Sequence, residues 1–248
     1  MIRDTPPHPA AAGEVMLRRI QRALAPKRNK DDVPGHPVAR RVREARLTYL
    51  TYRKLNALAC AAQEVELEGV PGAFIEAGCA LGGSTILLTT IKSAARALYV
   101  HDVFGMIPPP TDEDGEDVIA RYATIEAGQS KGLGGDTYYG YVDDLKKTVA
   151  DNIESFGFDL ARENVHLVEG MVQDTLNPEA PVALAHIDVD WFDPVKCCLA
   201  RITPQLSRGG YLVIDDYNDW SGCRKRPTRF WPSTASCSND PKRRRHSC

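Results

Sequence analysis

Short apolar segments that alternate with longer helical stretches constrain the fold of this chain more than any other feature. Five such segments, each of four or five residues, recur between residues 73 and 214: Ala73–Ala77, Ala97–His101, Val165–Val168, Ala183–Ile187 and Tyr211–Ile214. Strands that are separated by helices pair in parallel, because a helical connection crosses back over the sheet. We therefore predict an α/β fold with a doubly wound, mostly parallel sheet.

Helical periodicity precedes the first strand. Apolar residues recur at helical spacing in Gly13–Ala25 and again in Leu47–Glu68, which predicts two helices. After the last predicted strand the chain becomes rich in proline and basic residues. We divide the chain into an N-terminal helical extension (1–46), a main domain (47–225) and an atypical tail (226–248).

The charge of the chain is unevenly distributed. Residues 1–54 and 224–248 have net charges of +8 and +7, whereas residues 55–223 have a net charge of −17. Enzymes that act on nucleic acids surround their active cleft with basic side chains, so the acidic centre predicts a small-molecule substrate and a cation, with no nucleic-acid partner. The chain contains no apolar run of the ~20 residues that span a bilayer, and its charged, proline-rich start is unlike a secretory signal. We expect a cytoplasmic protein without a membrane partner, and we leave open whether it forms a homo-oligomer.

A glycine turn follows the first predicted strand. Gly78 permits a sharp reversal, Gly82 permits close approach of the backbone, and Ser84 is suited to cap the next helix. The spacing differs from the dinucleotide-binding motif, because Ala80 stands in place of the second glycine. A carboxylate two residues before the first glycine suits the cationic end of a ligand, so we predict that Glu76 binds an ammonium group. A purely structural turn is the alternative.

Candidate ligand contacts also follow the second and third predicted strands. Asp102 lies 26 residues after Glu76, slightly more than the ~20 residues typical of a ribose-binding carboxylate. A solvated aspartate at a strand end is the alternative. The turn after the third strand contains Gly170, Val172 and Gln173, which offer an apolar face and an amide to an adenine ring. Ligands of parallel sheets bind at the carboxyl ends of the strands, where all of these residues are expected.

Three carboxylates follow the fourth and fifth predicted strands. Asp188 lies 27 residues before Asp215, one strand–helix–strand unit, so adjacent strands would bring Asp188, Asp215 and Asp216 together. Unpaired carboxylates raise each other's pKa, and a hard cation with oxygen ligands removes that cost. We therefore predict a Mg²⁺ site at Asp188, Asp215 and Asp216. Asp190 is an alternative to Asp188, and pairing with Lys or Arg is an alternative to the metal.

A long polar connection, Val103–Tyr141, joins the second and third predicted strands. It is rich in proline, glycine, aspartate and tyrosine. A connection of this kind at the ligand edge is often a lid or a specificity loop. A plain surface excursion is the alternative.

Taken together, these motifs resemble the macrocin O-methyltransferase family, which methylates sugar hydroxyls in antibiotic biosynthesis. The resemblance spans roughly Leu47 to Lys225 and is carried by four blocks: Glu76–Gly78 with Gly82 and Gly83, Asp188-Val-Asp190-Trp-Phe, Gly209–Tyr217, and Ser221-Gly-Cys-Arg-Lys225. It implies a Rossmann-like fold of the class I methyltransferase type, S-adenosylmethionine as the methyl donor, and a sugar hydroxyl on a small molecule as the acceptor.

The resemblance also implies roles for individual residues. Asp188 would act as general base and, with Asp215 and Asp216, would hold Mg²⁺. The implied contacts with S-adenosylmethionine come from Glu76, Gly78, Gly82, Ser84, Asp102, Gly170, Val172 and Gln173.

The tail departs from the family pattern, in which Gly-Cys-Arg-Lys continues into a helix and a final pair of strands. Back-translated with G+C-rich codons, Lys225–Trp231 reads in a neighbouring frame as Ala-Ala-Asp-Glu-Ile-Leu, a helical pattern of the family kind. We interpret this as a frameshift, which would leave the sheet without its closing strands and the protein poorly stable or inactive. Two rival functions stay open: a nucleotide-cofactor oxidoreductase, and an inactive methyltransferase-like protein whose basic ends bind polyanions.

Overall fold

Five parallel strands form one sheet in residues 35–215, the part of the chain that the computed structural model describes. The strands are β1 (Ala73–Ala77), β2 (Leu98–Asp102), β3 (Val165–Glu169), β4 (Val182–Ile187) and β5 (Leu206–Ile214). Their order is β3-β2-β1-β4-β5. The order reverses between β1 and β4, and such a reversal creates a crevice at the carboxyl ends of the strands. The predicted doubly wound parallel sheet is confirmed.

Helices cover both faces of the sheet. They are α1 (Pro37–Glu44), α2 (Tyr52–Leu67), α3 (Gly83–Ile91), α4 (Glu116–Glu126), α5 (Leu145–Ser155), α6 (Val172–Thr175) and α7 (Phe192–Ile202), with short 3-10 helices at Leu133–Gly135, Tyr139–Tyr141 and Thr203–Gln205. Buried side chains of α1, α2, α3 and α5 form one apolar core, and those of α6 and α7 form a second. Each fully buried leucine or isoleucine contributes about 1.5–3 kcal/mol, so these two cores hold the strands in place.

The second predicted helix begins later than the sequence pattern indicates. The prediction was Leu47–Glu68, whereas α2 begins at Tyr52 with Thr51 as its N-cap. The carbonyl of Leu47 instead accepts a hydrogen bond from the backbone N–H of Gly83, at 2.9 Å. Apolar residues before Tyr52 therefore pack in a non-helical conformation, and their spacing imitated a helical period.

Strand β5 is longer than predicted. The prediction began at Tyr211, whereas β5 begins at Leu206 and includes Gly209 and Gly210. Two adjacent glycines are typical of a turn, although here they lie within the strand. The predicted helix Gly13–Ala25, Asp216 and the tail 226–248 all lie outside the described residues. Among residues 35–215, no helix combines the length and the apolar character needed to cross a membrane.

Candidate functional site

A cavity of about 150 Å³, here called cavity A, opens at the carboxyl ends of β1, β2, β3 and β4. Five residues that the sequence predicted to contact a cofactor line this cavity: Gly78, Asp102, Gly170, Val172 and Gln173. The fold therefore brings together residues that are separated by up to 95 positions in the sequence.

A second cavity of about 290 Å³, here called cavity B, shares a wall with cavity A. The shared wall consists of Gly78, Asp102, Ile107, Tyr139, Asp188, Asp190 and Trp191. Lys54 and Asp215 line cavity B but not cavity A. Two ligands that occupy the two cavities would therefore meet at this wall.

The end of β4 lies between the glycine turn and the end of β5. Ile187 pairs with Ile214, and the backbone N–H of Asp215 donates to the carbonyl of Ile187 at 3.0 Å. Asp188 and Asp215 directly follow this pair at the ends of two strands that lie about 4.8 Å apart, and both residues line cavity B. The structure therefore brings these two predicted carboxylates together.

Gly78 is required by its close approach to Asp188. Its φ is +83°, and a Cβ atom at this position would lie 1.9 Å from the carbonyl oxygen of Asp188. The backbone N–H of Asp188 also donates to the carbonyl of Ala77 at 2.8 Å. The glycine turn thus fixes the position of Asp188 as well as lining cavity A.

Asp102 connects two segments of the cavity wall. Its Oδ2 atom accepts the backbone N–H of Cys79, and its Oδ1 atom accepts that of Phe104, both at 2.8 Å. Burial raises the pKa of Asp102, while these two hydrogen bonds oppose the rise. Because a carboxylate oxygen accepts more than one hydrogen bond, Asp102 is able to hold the turn and also accept a ligand hydroxyl.

Three residues that the sequence predicted as cofactor contacts, Glu76, Gly82 and Ser84, do not line cavity A or B. The side chain of Glu76 is completely buried. Its Oε2 atom accepts the hydroxyl of Thr85 at 2.5 Å, and its Oε1 atom lies 3.1 Å from Nδ1 of His186. Direct contact of these three residues with a ligand stays a prediction. The contacts of Glu76 with Thr85 and His186 support the glycine turn from inside the protein.

Lys54 and Asp215 form an ion pair that was not predicted from the sequence. The Nζ atom of Lys54 lies 2.7 Å from Oδ2 of Asp215, whose side chain is only 8% exposed. Within residues 35–215, no group of three or more His, Cys, Asp or Glu side chains is arranged to hold a metal ion, and Asp216 lies outside that range. The Mg²⁺ site therefore stays a prediction. The helix predicted for Leu47–Glu68 placed Lys54 in the helix interior, so the sequence pattern contained no sign of this contact.

The connection between β2 and β3, predicted as a lid or specificity loop, lines both cavities and contains α4. Its first part is fixed to the end of β4. The indole Nε1 of Trp191 donates to the carbonyl of Pro108 at 2.8 Å, and the backbone N–H of Phe192 donates to Oδ1 of Asp114 at 2.9 Å. The ring of Tyr139 contacts those of Tyr49 and Tyr138 at the wall of cavity B. Tyr49 was not predicted as a site residue, since it precedes the first strand by more than 20 residues.

His101 lines cavity A and is neutral at physiological pH. Burial lowers the pKa of His101 to about 4. The unfolded chain, with a histidine pKa near 6.5, binds a proton first as the pH falls. The contribution of His101 to stability is therefore complete above pH 6.5 and is lost as the pH falls towards 4.

We expect the His101→Gln variant to lose less stability than the wild type between pH 6.5 and pH 4. The measurement is the urea midpoint at several pH values. His166→Gln, at a histidine that is exposed, is the matched control. Parallel curves for the wild type and His101→Gln would contradict this prediction.

Comparison with known sequences places the chain in a family. The profile of the family described as "Macrocin-O-methyltransferase (TylF)" matches residues 9–235. The 8-demethyl-8-(2,3-dimethoxy-alpha-L-rhamnosyl)-tetracenomycin-C 4'-O-methyltransferase of Streptomyces olivaceus is 29% identical over 177 residues, 68% of this chain and 62% of the relative. Mycinamicin III 3''-O-methyltransferase of Micromonospora griseorubida is 29% identical over 178 residues, 68% of this chain and 65% of the relative. The matched region thus spans less than two thirds of these relatives.

Comparison with solved structures supports the same fold. The O-methyltransferase NovP has a TM-score of 0.59 and 20% identity, covering 87% of both chains. The calicheamicin methyltransferase CalS11 has a TM-score of 0.53 and 17% identity, covering 89% of this chain and 84% of CalS11. At these identities the likeness shows the fold alone. The family profile covers most of the chain and includes every predicted site residue, and from this match we conclude that the chain belongs to the macrocin O-methyltransferase family.

Proposed function

We propose that this protein transfers a methyl group from S-adenosylmethionine to a hydroxyl group of a sugar or a glycosylated small molecule. The observation that carries the proposal is the wall shared by cavities A and B, which contains Asp188. A methyl donor in cavity A and an acceptor in cavity B would meet there, and holding two reactants in contact is a major source of rate acceleration. The names of the two relatives, which are O-methyltransferases of a rhamnosyl tetracenomycin and of mycinamicin III, support this class of acceptor.

The lining of cavity A fits S-adenosylmethionine, which supplies its methyl group from a positively charged sulfur. Val172 and Gln173 offer an apolar surface and an amide to the adenine ring, and Asp102 offers a carboxylate to a ribose hydroxyl. His101 is neutral because burial lowers its pKa to about 4, so its ring does not repel the sulfonium. Acidic side chains of the same cavity, including Asp114 and Asp193, favour a cationic ligand.

Asp188 is the proposed general base. It lines both cavities, and a carboxylate there is able to take the proton of an acceptor hydroxyl as the oxygen attacks the methyl group. General base catalysis of this kind contributes about 10²–10⁴-fold to the rate. Asp190 lines the same wall and is the alternative base. It lies three residues beyond the end of β4, and its backbone φ is +55°. Tyr49 and Tyr139 offer aromatic surfaces against which the apolar face of a sugar ring packs.

The carboxylates of cavity B offer oxygen ligands to a hard divalent cation, although those of residues 35–215 do not by themselves form a group of three arranged to hold one. Asp188, Asp190 and Asp215 all line this cavity, and Mg²⁺ prefers oxygen ligands of this kind. Asp188 and Asp215, with Asp216 from outside the described residues, are the residues that would hold it. A bound cation would supply Lewis acidity, which lowers the pKa of a hydroxyl group.

We expect S-adenosylmethionine to raise the melting temperature of the protein and NADH to leave it unchanged. A ligand at about 100 times its Kd stabilises the folded state by about 2.7 kcal/mol, which in a chain of this size raises Tm by roughly 5 °C or more. Incubation with S-adenosylmethionine and a panel of glycosylated small molecules, followed by mass spectrometry, tests the transfer itself. A shift with NADH alone would favour the oxidoreductase alternative.

A further inference from the structure

Lys54 places an ammonium group against a carboxylate of cavity B. Its Nζ atom lies 2.7 Å from Oδ2 of Asp215, and the two side chains are 28% and 8% exposed. Asp188 and Asp190 line the same cavity. Because Asp215 is largely shielded from solvent, this pair is screened less than an exposed ion pair. The charge of Lys54 therefore acts on the carboxylates that the metal hypothesis requires.

The position of Lys54 in helix α2 does not favour a lysine, so the helix gives no reason for a lysine there. Thr51 caps α2, and its hydroxyl accepts the backbone N–H of Lys54 at 3.3 Å, which places Lys54 in the first helical turn. A cation in the first turn is disfavoured, because the N-terminus of a helix carries a partial positive charge. The carboxylate of Asp215, 161 residues later in the chain, is a favourable partner of the Lys54 ammonium.

We propose that Lys54 is a tethered counter-cation of cavity B, which a divalent cation must displace from Asp215 before that carboxylate becomes a metal ligand. This inference rests on the metal site of the proposed function. Hydrogen bonds to charged groups contribute more than those between neutral groups, and the ammonium also repels an incoming cation. Lys54 thereby lowers the affinity of the site for free divalent cations and balances the charge of the cavity in their absence.

The test is a titration with Mn²⁺, followed by the electron paramagnetic resonance signal of the free ion. We expect Lys54→Met to bind Mn²⁺ about tenfold more tightly than the wild type. Lys54→Arg keeps the charge and should bind Mn²⁺ like the wild type. Lys147→Met is the matched control: Lys147 also forms an ion pair, with Asp151 at 2.6 Å, but it is 66% exposed and does not line cavity B, so its loss should leave the affinity unchanged.

The direction of the change separates this role from a structural one. Damage to the fold would weaken Mn²⁺ binding, whereas removal of a counter-cation strengthens it. Equal or weaker binding by Lys54→Met would overturn the proposal. If the wild type and all variants fail to bind Mn²⁺ while S-adenosylmethionine still raises Tm, then the metal site and this inference are both wrong, but cofactor binding stands.

Discussion

Replacement of Asp188 by asparagine is expected to reduce kcat at least 100-fold while S-adenosylmethionine affinity stays within about threefold of the wild type. Asparagine has nearly the same shape as aspartate but does not accept a proton at neutral pH. The backbone contacts of Asp188 with Ala77 and its close approach to Gly78 do not involve the side chain, so the wall of cavity A should be preserved. Methyl-transfer rates and calorimetric titration with the cofactor measure the two quantities separately.

Asp190→Asn provides the matched control for this experiment. Asp190 lines both cavities but lies two residues beyond Asp188, farther from the end of β4. We therefore expect Asp190→Asn to reduce kcat less than tenfold. The opposite result, in which Asp190→Asn is inactive and Asp188→Asn is active, would assign the base to Asp190. An equal loss of cofactor affinity and rate in Asp188→Asn would contradict its assignment as a base.

Asp215→Asn and Asp216→Asn are expected to abolish methyl transfer as well, with cofactor affinity within a few-fold of the wild type. They act through the proposed metal rather than through the cofactor. Calorimetry with S-adenosylmethionine checks this separation, since equal loss of cofactor affinity would contradict a role in metal binding.

The strands and the functional edge of the sheet could be predicted from the sequence because parallel strands are buried on both faces. Ala183–Ile187, for example, is apolar except for His186, and each of its residues is buried in β4. The register then brings the residues that follow such segments to one edge, so Asp188 and Asp215 could be placed near each other from their spacing alone. Asp102 was assigned to the end of β2 for the same reason.

Contacts between distant segments could not be predicted in this way. A glycine pattern does not reveal whether the close neighbour is a ligand or another part of the chain. A Cβ atom at Gly83 would lie 2.6 Å from the carbonyl oxygen of Leu47, and one at Gly82 would lie 3.1 Å from a side-chain carbon of Val149. The Lys54–Asp215 pair was missed because α2 and β5 meet only in the folded protein.

Glu76 shows the same ambiguity, and its replacement by alanine is expected to destabilise the protein by about 2–5 kcal/mol. The change leaves the hydroxyl of Thr85 and the ring of His186 without the carboxylate that each contacts in the folded protein. Both residues are buried, and a buried polar group that loses its partner costs about 1–3 kcal/mol. Urea unfolding without any ligand measures this effect, and Glu76→Gln, which keeps a hydrogen-bonding side chain of the same size, should lose less stability.

The Glu76→Ala variant also distinguishes two roles of Glu76: support of the glycine turn, and direct contact with S-adenosylmethionine. A direct contact between Glu76 and the ammonium group of S-adenosylmethionine predicts that Glu76→Ala binds the cofactor at least tenfold more weakly, about 1.4 kcal/mol, at unchanged stability. A supporting role for Glu76 within the protein predicts instead that Glu76→Ala loses stability even without cofactor. The reason is that Glu76 joins the start of α3 to β4 through Thr85 and His186. Unfolding curves that coincide with those of the wild type, together with a tenfold loss of affinity, would establish the contact and contradict the supporting role.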